Sequence, residues 1–291
     1  MSDRHGDMME HLKEWPVKNY ACFVLDFSSG SVDIFGDHKS VFRWASVSKL
    51  GSALAILSAV SEGVATIDQD VAKGSLVSDL LAHASGLATD IDFSVDIFSQ
   101  KPAAPARTRR IYSNTGFELL AASFEKMTGF RFKDYMSEVL FQPAKMESAS
   151  VSGSLWPHAG ESGSAAGILG SLEDLIGLAN ALYSGTPFVD IELLEMAKKP
   201  YLADLPGILP GFGSVSRNTW GLGFEIKGEK FPHWTAKSNS PSTYGHFGAS
   251  GTFLWIDPTI SLALGVLTDR DFGPWAQKRW PELSELVIES Y

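Results

Sequence analysis

Ser46 and Lys49, in the run Ser46-Val47-Ser48-Lys49, are the first residues in this chain whose types and spacing could make and break a covalent bond. A serine hydroxyl is a weak nucleophile until a base lies within hydrogen-bond reach. Lysine serves as that base only when neutral, against an ordinary pKa of ~10.4. Burial and nearby positive charge lower that value. The residues from Leu50 to Val60 supply burial, being nearly all apolar: Leu50, Leu54 and Leu57 share one helical face, Ala53, Ile56 and Val60 the next, and Gly63 closes the run. Residues three apart on a helix share a face, so Ser46 and Lys49 can touch while Ser48 cannot join them. First-turn N–H groups have no internal partner, which leaves that of Ser46 free to stabilise an oxyanion. A serine is equally the common helix cap, and a lysine one turn on can reach water, so the pair needs company.

Two further stretches supply it. Tyr112-Ser113-Asn114 stands just ahead of a helical pattern. There Asn114 could cap the helix and Tyr112 could simply pack, or Tyr112 could relay a proton beside Ser46 and Lys49 while Asn114 donates to Lys49 or to a substrate. His246 and Gly248 lead into the apolar run "GTFLWID", where glycine would let a substrate approach a strand edge closely. Trp44, Trp220 and Trp255 could line a pocket, with core packing the default for each.

The elements that must position these groups follow from periodicity. "YACFVLDF" and "SVDIFGD" flank "SSG" as a hairpin, in which Cys22 reads as a buried strand thiol. Helical patterns follow at "VSDLLAHA", "TGFELLAASFEKMTG", "FKDYMSEVLF" and "SLEDLIGLANALYSG", the last opening close to a capping box at Ser171 and Asp174. From Trp220 the pattern returns to strands, "WGLGFEI", "GTFLWID" and "ISLALGVLTD", and the end reads as a helix interrupted or started near Pro281. Residues 88–110 lack periodicity and read as loop. Strands at both ends around a helical middle imply one α/β (α+β) domain over residues 1–291. Its sheet lobe would take about 1–45 and 215–291, and its helical lobe about 46–214.

Composition narrows the partners. The 291 residues are 44% hydrophobic and 20% charged, ordinary for a globular domain. A formal charge of −10, with no basic run beyond residues 107–110, makes nucleic acid and anionic membrane poor partners and leaves the oligomeric state open. The opening residues carry no apolar core of signal-peptide length, and no stretch reaches the ~20 apolar residues of a membrane span, so a cytoplasmic address is expected. The chain has no G-x-S-x-G elbow, no H-E-x-x-H and no phosphate-binding glycine loop.

In that order along the chain, Ser46-Val47-Ser48-Lys49, Tyr112-Ser113-Asn114 and His246-Phe247-Gly248 resemble the S-x-x-K, Y-x-N and K-T-G or H-x-G motifs of the serine β-lactamase and penicillin-binding protein superfamily. The likeness is greatest to its class C β-lactamase, D-aminopeptidase and family VIII esterase branch. "LLAHASGL" and "SAAGILGSLEDL" look like two further stretches of that branch. The resemblance implies an antiparallel sheet carrying the N- and C-terminal helices, with an inserted helical lobe. It implies Ser46 as nucleophile of an acyl-enzyme, Lys49 and Tyr112 sharing the acid–base work, and Asn114 orienting Lys49 and the substrate. The N–H groups of Ser46 and Ala249 would form the oxyanion hole, His246 and Gly248 would border the substrate, and His83 would be a structural support. No metal or organic cofactor is implied.

The third motif departs from K-T-G. His246 is only partly cationic near neutral pH and Phe247 offers no hydroxyl, so a substrate carboxylate is poorly served there. A small neutral ester or amide is therefore expected, with carboxylesterase-like turnover. β-Lactamase or D-alanyl and D-amino-acid peptidase activity is one alternative, acyl transfer to an alcohol or amine another. A non-catalytic ligand-binding role for the fold is the rival of a different class, and it would be expected to lose Ser46, Lys49 or Tyr112.

Overall fold

Strand alternation divides the apolar side chains of one sheet between two cores. The computed structural model describes residues 4–72, 74–153 and 160–291. Six antiparallel strands run in the spatial order Glu225–Ile226, Tyr244–Gly248, Thr252–Asp257, Leu262–Thr268, Tyr20–Asp26 and Ser31–Gly36. Successive side chains on a strand point to opposite faces. Ala21, Phe23, Leu25, Leu254 and Ile256 accordingly enter a core shared with the helices of the middle segment. Cys22, Val24, Phe247, Phe253 and Trp255 enter a second core on the other face. That second core is closed by Met8 and Leu12 of the helix Arg4–Lys13 and by Trp280, Leu283 and Val287 of the helix Pro274–Ser290.

The helix Ser48–Ser61 runs through the middle of the first core, with every residue from Ser48 to Ala59 buried. Being apolar on all sides, it is packed by neighbours all round rather than lying on the surface. Around it stand the helices Asn114–Thr128 and Leu172–Ser184. The first ends at Gly129 in the left-handed conformation, and the second opens with a complete capping box of Ser171 and Asp174.

Four local readings change. Asn114 is the first residue of its helix and Ser113 is the cap, its hydroxyl accepting from the Gly116 N–H at 3.0 Å. "FKDYMSEVLF" is an α-helical turn, Phe132–Met136, continued by a π-helical turn, Ser137–Phe141. The strand expected from Trp220 shrinks to Glu225–Ile226, because the chain turns tightly at Gly221 and Gly223. Gly223 has a φ of 93°, and a Cβ there would lie 2.1 Å from that of Ala53. The C-terminal helix runs unbroken through Pro281: packing of Trp280 and Leu283 outweighs the one hydrogen bond that proline forfeits.

Candidate active site

Ser46 lies in a short 3-10 turn, Ala45–Val47, immediately ahead of the buried helix, rather than in its first α-helical turn. The residue before it, Ala45, is held at a φ of 47°, a left-handed conformation that non-glycine residues adopt only when their surroundings dictate it. Those surroundings are visible. Thr252 donates to the Trp44 carbonyl at 2.9 Å, and Ser250 to that of Arg43 at 2.6 Å. Gly248 packs so closely that a Cβ there would lie 2.4 Å from the Trp44 oxygen and 3.2 Å from the Ala45 Cβ. The turn that carries Ser46 is thus pressed against the end of the Tyr244–Gly248 strand, and only glycine permits that approach.

The Tyr112 hydroxyl is 2.6 Å from the Ser46 Oγ. Lys49 does not bond Ser46 directly. Its Nζ donates to the Asn114 Oδ1 at 2.7 Å and to the Ala165 carbonyl at 2.8 Å, and it sits 4.8 Å from the centre of the Tyr112 ring. Asn114 therefore accepts from Lys49, and its amide NH2 is left for other partners. Two acceptors match the two N–H bonds of a neutral amine and leave its lone pair uncommitted. Lys49 is wholly buried, and burial lowers its pKa to about 7, against a smaller opposing pull from Glu118. Burial raises that of Tyr112, the bond to Ser46 opposing, so the phenol keeps its proton at neutral pH.

Further residues hold this arrangement; Glu118, Ser52, Ser162 and Ser164 among them were not singled out in the sequence, whereas His83 and Trp220 were. Glu118 stands one helical turn after Asn114, a spacing that puts the two on one face. Its carboxylate accepts from the Ser162 and Ser164 hydroxyls at 2.7 and 2.9 Å. Ser52 donates to the Ser164 carbonyl at 2.7 Å, so the segment that presents the Ala165 oxygen to Lys49 is tied down twice. Ser48 points away from Ser46 and accepts from the Ile168 N–H at 2.9 Å. His83, at a φ of 56°, accepts the Ser113 N–H on its Nδ1 at 3.0 Å, and its ring lies 4.7 Å from that of Tyr112. Trp220 packs edge-on to His83 at 4.5 Å and lies 5.4 Å from His246. Trp44 and Trp255 are core residues, their indole N–H groups bonded to Gly170 and Ser284.

His246 faces the site, with its ring 5.6 Å from that of Tyr112. Its Nδ1 lies 2.6 Å from the Phe247 carbonyl and must be the protonated nitrogen, which leaves the buried Nε2 as an unpartnered acceptor among the described residues. Burial, and secondarily the charge of Lys49, lower its pKa to about 3, so the imidazole is neutral rather than partly cationic near pH 7. Phe247 points to the opposite face, 4.9 Å from Phe272 and 5.9 Å from Trp280 in the second core. Its side chain is turned away from the site, so its missing hydroxyl is not what distinguishes this third motif. Ala249 is exposed in the turn after Gly248, one residue from the contact with Ala45. Beyond Glu225–Ile226, which pairs only Gly245 and Tyr244, the outer edge of His246–Gly248 has no partner strand among the described residues.

Among the described residues no group of three or more His, Cys, Asp or Glu is gathered as a metal set, and no helix is long and apolar enough to cross a membrane. The β-lactamase family model matches residues 36–287. A crystal structure of a β-lactamase (Mb2281c) from Mycobacterium bovis is similar over 98% of this chain and 99% of its own, at 38% identity and a TM-score of 0.89. A β-lactamase/D-alanine carboxypeptidase from Pseudomonas syringae shares the fold, with a TM-score of 0.75 at 13% identity over 99% of this chain and 98% of its own. An Escherichia coli (strain K12) protein provisionally named a D-alanyl-D-alanine carboxypeptidase is 22% identical over 96% of this chain and 76% of its own length.

Proposed function

Because the chain belongs to the β-lactamase family of serine hydrolases, we propose that it hydrolyses a small carboxylic ester or amide through an acyl-enzyme on Ser46. Lys49, neutral above about pH 7, draws a proton from Ser46 by way of Tyr112. The attack leaves an oxyanion facing the N–H groups of Ser46 and Ala249. Tyr112 then returns the proton to the departing alcohol or amine, and water attacking the acyl-enzyme repeats the cycle. Asn114 holds Lys49 and turns its amide toward the substrate.

The observation that carries the esterase reading is the neutral, buried His246, where K-T-G relatives present a cation. A substrate whose carboxylate must lie beside the third motif, as in a β-lactam or a D-alanyl peptide, finds no counter-charge there. The names of the relatives favour a second reading, β-lactam or D-alanyl peptide hydrolysis. The two are separated by the intact mass of the protein after a fluorophosphonate probe, for wild type and Ser46→Ala. Turnover of a short nitrophenyl ester and of a chromogenic cephalosporin would be followed alongside. A Ser46-dependent adduct with ester turnover and slow cephalosporin turnover is expected. Fast cephalosporin turnover overturns the esterase assignment, and no adduct on folded protein overturns the enzyme reading in favour of ligand binding.

A further inference from the structure

Tyr112 lines a cleft of about 960 Å³ between residues 103–112 and the hairpin of strands Gly207–Leu209 and Gly213–Val215. The walls meet at the Arg110 N–H, which donates to the Pro206 carbonyl at 2.8 Å. Ile111, Ile208, Pro210 and Val215 make much of the lining apolar. Although the chain carries a formal charge of −10, the only charged side chains among the described lining residues are Arg109 and Arg110. Arg110 is committed: its guanidinium donates to the backbone carbonyls of Asn218, Ala82, Tyr201 and Leu202.

Arg109 differs from the other arginines. Arg43, Arg107, Arg131, Arg217 and Arg279 face carboxylates. Arg270 donates to the Pro16 carbonyl. Arg109, exposed at the cleft, is the one described arginine side chain with neither an ion pair nor a hydrogen bond among the described residues. A planar guanidinium with all its donors unclaimed, at the rim of an apolar cleft with no acid in its lining, is suited to a carboxylate.

We propose that this cleft receives the leaving group of the substrate, an alcohol or amine built as an apolar spacer ending in a carboxylate, and that Arg109 binds that carboxylate. This rests on the acyl-enzyme reading above. It is the leaving-group side because Tyr112, which returns the proton to the departing atom and lies 2.6 Å from the Ser46 Oγ, is one of the residues lining the cleft. The carboxylate stands a spacer away from the scissile bond, unlike that of a D-alanyl peptide, and so avoids the neutral third motif.

The test compares the butyrate ester of ω-hydroxyhexanoic acid with the same ester capped as its methyl ester. For wild type we expect kcat/KM to favour the free acid about two- to fivefold at low salt, the advantage shrinking as ionic strength rises. Arg109→Gln should remove the advantage, lowering kcat/KM for the free acid more than for the methyl-capped ester. Equal turnover of the two esters by wild type, or an equal loss on both in the variant, overturns the proposal. Binding of the intact free-acid ester to folded Ser46→Ala, with and without Arg109→Gln, decides the matter independently of turnover. A Kd weakened by the same factor sustains the clamp even if no ester is hydrolysed, and an unchanged Kd or no binding sinks it.

Discussion

Among the described residues two lysine side chains are wholly buried, those of Lys49 and Lys230, and their surroundings give them opposite fates. Lys230 donates to the Glu225 carboxylate at 2.7 Å, which also takes the His233 ring at 2.9 Å and the Trp234 indole at 2.9 Å. Burial alone would raise the Glu225 pKa, but Lys230 and His233 hold it well below the carboxylate range, so the pair stays charged. Lys49 has only an amide oxygen and a peptide carbonyl for partners, with the nearest acid, Glu118, occupied by serines. Desolvation therefore wins at Lys49 and its proton becomes labile near neutrality. A buried lysine is a base or a brace according to whether a carboxylate touches it.

The comparison breaks most visibly if the base is deleted. Lys49→Ala should lower the acylation rate by about 10³-fold or more while the protein stays folded, since activation of a weak nucleophile is lost outright. Acylation at the wild-type rate would remove Lys49 from the mechanism. Next in size is the brace. Glu225→Gln leaves Lys230 buried and unpaired, and should destabilise the fold by about 3–5 kcal/mol in denaturant unfolding. A loss under about 1 kcal/mol would mean that water or a rearranged partner reaches Lys230.

How much of this was legible before the fold was seen differs between the two lysines. Lys49 was legible because it stands three residues after Ser46 at the head of an apolar helical run, and because Tyr112-Ser113-Asn114 and His246-Phe247-Gly248 gave that pair company. Lys230 is five residues after Glu225, across a turn in "FEIKGEKF", and nothing in that polar stretch signals that both are buried. The hairpin Tyr20–Gly36 and the helices around Ser48–Ser61 were equally plain from periodicity. The Trp220 turn was not, since its apolar residues alternate like a strand while two glycines fold it back on Ala53. Nor was the outward aim of Phe247, a matter of sheet parity that the motif alone does not carry.

A pH series sharpens the contrast. With the Lys49 pKa near 7, kcat/KM should rise about tenfold per pH unit below that value and level off above it. Stability carries the same signature with a definite sign. Lys49 has a folded pKa below its unfolded value of ~10.4, so between about pH 7 and 10 the unfolded chain binds the extra proton and wild-type stability rises with pH. Lys49→Met lacks that slope, so its stability relative to wild type should fall by up to about 1.4 kcal/mol per pH unit across this window. Parallel curves for the two proteins would show that Lys49 titrates normally.

The smallest effect is expected at the third motif. His246 is as buried as the lysines, but with its Nδ1 proton given to the Phe247 carbonyl and its pKa near 3 it does not change charge while Lys49 does. His246→Asn keeps a neutral polar group facing Tyr112, so kcat/KM for a simple ester should change less than about tenfold, with the acid limb in the same place. Loss of that limb would transfer the proton acceptor from Lys49 to His246. A limb that stays put while Lys49→Ala is inactive leaves one titrating base, the one of these two buried lysines that no carboxylate touches.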